Sequence, residues 1–444
     1  MRDLALVSVV ALLLALSVAR PFVGILVWSW ISFMNPHQDA YGFVKTMPLA
    51  MLAFVATMVG CLIAREPRRP AVNTVTVLLA ALAFWVTLTS FTALAPPAAV
   101  WGKWDRTVKI IAGLLLTASM LDSRHRISAL VWLMAISLGY YGLKGGIFTV
   151  MTGGAFQVLG PNNSLIADRN HIAVGLLVAL PLMNWLRLQA RHTLVRHVLL
   201  AVMGGTLLAA IGTQSRGALV SLVAVAGVLW LRSNGKVVSG IVIVLAMAGA
   251  IAFMPESWVE RMRTIQDYEG DASAMGRIWI WWVGWQIALS RPILGGGFRA
   301  VYQQDIVNRF DPSIPARADH SIWFETLSEQ GFIGFAIWLG ILVAGTLYSF
   351  AITRQARDRP DLRWAYDLAR MCQVSITAFV TGGSFLSLAY WDYFWTILVV
   401  LGATRALVAA AAPHAAPAQA APSARSWQAE GSAAPARRAA TARP

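Results

Sequence analysis

Apolar runs of mostly 17–22 residues, each long enough as a helix to cross a hydrocarbon core of roughly 30 Å, recur along nearly the whole chain. They predict spans at about 46–64, 73–95, 107–121, 127–145, 171–187, 197–212, 217–232, 237–254, 331–351, 370–388 and 392–411. A broken apolar region at about 4–34 precedes them, interrupted by "ARPF" from Ala19 to Phe22 and too long for one straight span. The expected fold class is therefore all-α: a polytopic integral membrane protein of about 12 transmembrane helices, with a thirteenth crossing open in the first region. "MRDLALVSVVALLLALSVAR" looks like a signal peptide, but no convincing small-residue cleavage site follows, and the reading is that it is retained.

The polar interruptions divide the chain into an N-terminal transmembrane region (1–150) and a second one (151–411) with a large outward loop at about 255–330. After about 411 the sequence turns Ala/Pro/Arg-rich, which predicts a disordered cytoplasmic tail over 412–444. Within the loop, Ile278–Ser290 is apolar and Trp-rich but short, predicting an interfacial helix that Arg277 begins. Composition agrees with the pattern: 57% hydrophobic, 13% charged, mean hydropathy +0.61, outside the soluble globular range.

The net charge of +15 marks topology rather than nucleic-acid binding, because the basic residues sit in short connections and not on one soluble face. "REPRRP" (65–70), "DSRHR" (122–126), "RLQARHTLVRH" (187–197), "RSNGK" (232–236) and "RQARDRPDLRW" (354–364) occupy every second connection and are read together as cytoplasmic. Cys61 and Cys372 both fall within expected spans, which argues against a disulfide or a thiolate metal site.

The connections left facing outward should then be poor in cations, and they are not. They hold Lys103, Arg106 and Lys109 in "WGKWDRTVK", Lys144, Arg169 in "IADRNH", Arg216 in "TQSRGA" and Arg277 in "AMGRIWIWW". Singly, each suits a snorkelling or headgroup contact. Clustered at the membrane edge, they point to a polyanionic ligand, and Arg216 and Arg277 offer the planar donor fork that suits phosphate oxygens. "GGGF" at Gly295–Phe298 lacks the Lys-Ser/Thr and the preceding strand of a phosphate loop, so a plain turn is expected.

One polar cluster precedes a span directly: "ADHSIWFETLSEQGFIGF", Ala318–Phe335. Asp319 is placed to cap a helix, and Gly331 to break it ahead of the span. At helical spacing His320, Trp323, Phe324 and Leu327 share one face, and Ser321, Glu325 and Glu329 another. A lone histidine on an apolar face is usually a satisfied structural residue. Here, however, His-Ser, nine residues and Gly-Phe-Ile-Gly follow a large outward loop, and this resembles the motif of the bacterial O-antigen ligase family, which shares a domain with O-antigen polymerases and protein O-oligosaccharyltransferases. "TQSRGA", "GRIWIWWVGWQIALSRPILGGGF" and "DRNHIAVGL" resemble further features of that family. "RPFVGILVWSWISFMNPH", "KWDRTVKI", "SLGYYGLKGGIFTVMTGG" and "GPNNSLIAD" resemble in particular the O-glycosylation ligases associated with exosortase A systems. The resemblance covers about residues 1–410.

The resemblance implies a glycosyltransferase of the cell inner membrane, with its active site on the periplasmic side. It would move a glycan from a polyprenyl diphosphate donor to an acceptor hydroxyl on lipid or protein. The family's essential histidine falls on His320 and its two arginines on Arg216 and Arg277, the catalytic candidates. Arg169, Lys103, Arg106 and Ser321 are candidates for substrate binding; Ser321 stands where Asn is commoner in the family, which bears on acceptor preference. His320 would take the proton of the attacking hydroxyl, with inversion at the sugar carbon, while the arginines meet leaving-group charge. Glu325 or Glu329 is the competing base, although the two are expected to pair with loop arginines. No Asp-x-Asp and no His-Glu-x-x-His motif is found, so neither metal nor cofactor is expected. The alternatives are a polymerase extending lipid-linked repeats, a lipid-linked glycan transporter, which the lack of an internal repeat disfavours, and a non-catalytic membrane partner of polysaccharide assembly.

Overall fold

The computed structural model describes residues 2–63, 71–232, 235–256, 258 and 272–411. The expected tail at 412–444 and the "REPRRP" loop lie outside the described residues. Among the described residues there is no β-strand. The helices are α1 (Arg2–Ala19), α2 (Pro21–Met34), α3 (Leu49–Ile63), α4 (Thr74–Phe91), α5 (Pro97–Met120), α6 (Arg124–Met151), α7 (Arg169–Gln189), α8 (Thr193–Gly212), α9 (Arg216–Leu231), α10 (Lys236–Phe253), α11 (Ala272–Ser290), the single turn α12 (Gln304–Val307), α13 (Ile322–Ala356), α14 (Arg363–Gly383) and α15 (Asp392–Ala410). Each expected span coincides with a helix, and α1, α4, α6, α7, α8, α13 and α15 are long and apolar enough to cross a membrane. The apolar helices α2, α3 and α9 have 14, 15 and 16 residues, which at 1.5 Å per residue fall short of a hydrocarbon core of roughly 30 Å.

Local chemistry sets the boundaries. The first apolar region is two helices, because Arg20 leaves helical geometry and Pro21 takes the first position of α2, where its missing N–H costs no hydrogen bond. Asn73 and Thr76 form a reciprocal capping box on α4, and Ser123, Asp168 and Ser215 cap α6, α7 and α9 by accepting backbone N–H bonds. α7 is apolar on nearly every side and buried over most of its length, with α14 and α15 packed into the same core.

The ends of the bundle differ. At one end the basic connections meet: Arg124 donates to Gln189 Oε1 (3.2 Å), Arg232 to the Arg370 carbonyl (3.2 Å) and Arg359 to the Ala411 carbonyl (2.8 Å). At the other end the 157–169 segment, the α5 N-terminus, the loop before α13 and the loop between α14 and α15 come together. That last loop departs from expectation. The hydropathy pattern carries a span on through residues 384–388, but α14 stops at Gly383 and the following "SFLSLAYW" turns across the bundle end.

The long helix α13 is broken at Gly331 (φ 66°, ψ −173°), a conformation open to glycine and strained for any other residue. The break leaves orphan carbonyls inside protein, and the "GGGF" turn satisfies them. Gly296 N–H donates to the Ser328 carbonyl (2.8 Å), Gly297 N–H to Glu329 (2.9 Å) and the Trp85 indole to Gln330 (3.0 Å). These glycine amides hold the helix break, so the segment is the plain turn its sequence predicts.

Candidate functional site

His320 lies in the turn ahead of α13, not on the helix. Its backbone is left-handed (φ 47°), unusual for a residue with a Cβ, and its N–H donates to Ser387 Oγ in the α14–α15 loop (3.0 Å). Two details differ from expectation. The helix starts after Ser321, which occupies the cap position with no side-chain cap hydrogen bond. Asp319 is not the cap: it is fully buried and accepts from Ser328 Oγ (3.3 Å), while its carbonyl accepts from the Trp281 indole (2.6 Å). Burial, with the nearby Glu329 and Glu325 charges, pushes the Asp319 carboxyl well above its ordinary range.

Trp281 ties α11 to this turn: its ring stacks on Phe324 (centroids 5.3 Å apart) and lies 6.4 Å from Phe385. α11 begins at Ala272, so Arg277 sits in its second turn and does not start it. Burial, and then the Arg277 charge, pull the His320 imidazole down to about 4, with His171 acting in the same direction and Asp168 and Glu325 against it. The ring is therefore neutral around pH 7. The same electrostatics bring the start of α7 to the histidine, where Asp168 caps the helix and sits 3.4 Å from His171 Nδ1. Arg169 is the first residue of that helix and is half-buried.

Arg216 is the first residue of α9, after the cap Ser215. The next residue, Gly217, faces Phe385: a Cβ there would stand 3.9 Å from the Phe385 Cβ. Arg216 thus borders the same α14–α15 loop that holds His320. A further cation lies here, outside the sequence motifs. Arg317 lies against α11 so closely that a Cβ at Gly276 would come within 1.9 Å of its guanidinium, beside Arg277.

The other face of the first turns of α13 is a buried ion cluster. Lys103 of α5 donates to Glu325 Oε1 (2.8 Å) and Glu329 Oε1 (2.7 Å) and lies over the Phe298 and Tyr390 rings. The remaining carboxylate capacity takes the Ala389 N–H (3.1 Å) and the Arg299 N–H (3.0 Å). The two glutamates are therefore engaged with a lysine and backbone amides, where loop arginines were expected. Next to this cluster a cavity of about 540 Å³ is bordered by Lys103, Arg106, Arg299, Tyr302, Ser387 and Trp391, among others, within the size range of ligand sites. Ser387 links this cavity to the His320 backbone.

Arg216, Arg277 and His320 all fall within one matched stretch. Residues 201–339 match the O-Antigen ligase family (Wzy_C). Residues 1–191 match a family of unknown function, DUF5935. No curated protein is detectably similar to the chain. The O-antigen ligase match, together with the apolar helices, supports a multi-pass membrane protein with a ligase or glycosyltransferase activity. Lys103, Arg106 and Arg169 lie in the other matched stretch, so the candidate residues of both come to one end of the bundle.

The O-antigen-ligase-like region alone does not complete this end. Ser384, whose Oγ accepts from the Trp323 indole (2.8 Å), Ser387 and the Ala389 amide all come from beyond residue 339. Ordinary serines in an apolar run carry no sequence signal, and neither did Arg317; His171 lies within "DRNHIAVGL", where Arg169 alone is a candidate. His320, Arg216 and Arg277 stood out as candidates because they break the apolar pattern at connections that the charge pattern leaves without a basic cluster.

Proposed function

We propose that the protein transfers a glycan from a polyprenyl diphosphate carrier to an acceptor hydroxyl on lipid or protein, in a metal-independent, inverting reaction. The observation that carries the reading is His320, pinned through its backbone N–H to Ser387 at the end opposite the basic connections, with its imidazole drawn towards the neutral form by burial and then by the Arg277 charge. A neutral imidazole can accept the proton of the attacking hydroxyl. Arg277 and Arg216 then meet the negative charge that grows on the departing diphosphate, with Arg169 and Arg106 further along the donor's path. Lys103 borders the same cavity as Arg106, with its charge also engaged by Glu325 and Glu329. The positive-inside rule puts the basic end in the cytoplasm, so this reading places the reaction at the periplasmic face of the inner membrane. The exosortase-associated branch is the favoured subfamily, on the strength of the N-terminal segments.

The test is transfer in membranes of a host lacking its own ligase, supplied with carrier-linked glycan, at matched protein levels. Loss of the base costs roughly 10²–10⁴-fold, so His320→Ala and Arg216→Ala are expected to lower transfer by at least about 100-fold. The labelled product names the acceptor; elongation of carrier-linked repeats would show polymerase chemistry instead. Unchanged transfer in both variants overturns the catalytic roles.

A further inference from the structure

The four N-terminal segments that resemble the exosortase-associated ligases take no part in the proton transfer, yet they converge on one place. α2 ends in a left-handed Asn35 (φ 50°), a conformation asparagine tolerates, whose N–H returns to the Ile31 carbonyl. This turns the chain into the 3-10 turn Pro36–Asp39. From the "SLGYYGLKGG" segment, the Tyr141 hydroxyl shares its one proton between the Met34 carbonyl (2.7 Å) and Asp39 Oδ2 (3.2 Å) and fixes that corner. From "GPNNSLIAD", Asn163 (φ 56°) donates to Gln38 Oε1 (3.3 Å) across to the same turn. "KWDRTVKI" supplies Arg106 and Lys109.

Three of the four, with the start of α3, Trp391 and Asp392, line a second cavity, of about 340 Å³, whose corner Tyr141 holds from outside the lining; it borders the larger cavity through Arg106, Ile110, Leu165 and Trp391. The two cavities form a row leading from Ser387, at the His320 turn, into the N-terminal region. The lining of the second is mixed. Trp28 and Trp391 give aromatic walls, and buried Asp392, held by the Ser32 hydroxyl, gives an acceptor. Asn163 and Arg106 give donors. His37 also faces it, and its Nδ1 is buried without a hydrogen-bond partner among the described residues, a cost that a ligand or water would relieve. A lining of donors and acceptors in both senses suits hydroxyl groups, each of which donates once and accepts twice.

We propose that this second cavity is a saccharide subsite, which holds sugar residues beyond the one that reacts at His320. The proposal rests on the glycan-transfer reading, and it makes the N-terminal region a reader of glycan length. Of the charged groups in the lining, Lys109 is paired with Asp105 (2.7 Å) and Arg106 lies within electrostatic reach of Asp392, so a hydroxyl-rich, largely uncharged ligand suits the cavity better than the diphosphate or the carrier.

Cysteine protection tests it without turnover. The native Cys61 and Cys372 are buried, so an impermeant maleimide reports on Asn163→Cys in the full-length protein in membranes. Undecaprenyl-diphosphate-linked oligosaccharide is expected to slow labelling at least about fivefold, whereas undecaprenyl phosphate leaves it unchanged. Oligosaccharide released from the carrier distinguishes the sources. Protection only at much higher concentration places the donor's sugars in the cavity, and equal protection places an acceptor glycan there; both support the subsite. Equal slowing by undecaprenyl phosphate, or no slowing by any probe, overturns it. Asn163→Trp, which fills the cavity, should raise the KM for a carrier-linked oligosaccharide about tenfold and leave that for a carrier-linked monosaccharide unchanged; equal effects on both also overturn the proposal. Protection in membranes that show no transfer would sink the transfer reading and leave the subsite standing.

Discussion

At the scale of the residue, the state of His320 makes the transfer reading sensitive to pH in a defined direction. Its imidazole ionises at about 4 instead of 6.5, first through burial and then through Arg277. A depressed value means that the free enzyme keeps the basic, neutral ring until the pH falls towards 4. A bound diphosphate would offset the Arg277 charge and let the value climb back towards 6.5. kcat/KM reports ionisation of the free enzyme and kcat that of the bound complex, so the acid limb of kcat is expected at higher pH than that of kcat/KM. Arg277→Gln should move the kcat/KM limb upward without reaching 6.5, since burial remains. Rate profiles between pH 4 and 8 check both; coincident limbs, or a limb unmoved by the substitution, would show that Arg277 does not govern the imidazole. None of this was legible in the sequence beyond the candidacy of the two residues. The spacing placed His320 on a helix face, whereas the structure holds it in a left-handed turn through Ser387, 67 positions further along.

At the scale of the element, apolar periodicity located nearly every helix, because a hydrocarbon solvent leaves the backbone few other ways to satisfy its hydrogen bonds. It failed where an apolar stretch is buried in protein and not in lipid. "SFLSLAYW" looks like the continuation of a span, yet its amides and hydroxyls bind Trp323, Glu325 and the His320 backbone. The break at Gly331, by contrast, was readable from a glycine between a polar turn and an apolar run. A Cβ at Gly331 would come within 2.5 Å of the Ile293 carbonyl, in a backbone that side chains rarely adopt. Gly331→Ala should therefore destabilise the protein by about 1–3 kcal/mol and pull the "GGGF" turn off the α13 carbonyls. Thermal unfolding in detergent measures the first effect. Gly334→Ala is a poor control, because a Cβ there would meet Trp85; Gly102→Ala, on open space in α5, should leave stability unchanged or slightly raised.

At the scale of the whole molecule, the question is what joins the N-terminal region to the helix that carries the candidate chemistry. Lys103 on α5 supplies the strongest link: it crosses to α13 and pairs with both Glu325 and Glu329, with side-chain exposures of 12%, 6% and 0%. Buried ion pairs add little net stability when whole, but removing one partner leaves an uncompensated charge, at a cost of about 3–5 kcal/mol. Lys103→Met should thus lower the thermal unfolding temperature, and it should separate two regions that the family matches treat as distinct. Adding Glu325→Gln and Glu329→Gln removes the orphaned charges and should restore much of the stability, because uncharged groups can keep their bonds to the Ala389 and Arg299 amides. If Lys103 serves only as this strut, the triple variant recovers transfer along with stability. If stability returns and transfer does not, the Glu325→Gln, Glu329→Gln variant that keeps Lys103 decides: normal transfer there assigns the loss to the lysine and the adjoining cavity, and lost transfer assigns it to the carboxylates. The comparison needs both readouts on the same membranes, since a purely structural lysine and a ligand-binding one make the same prediction for the single substitution.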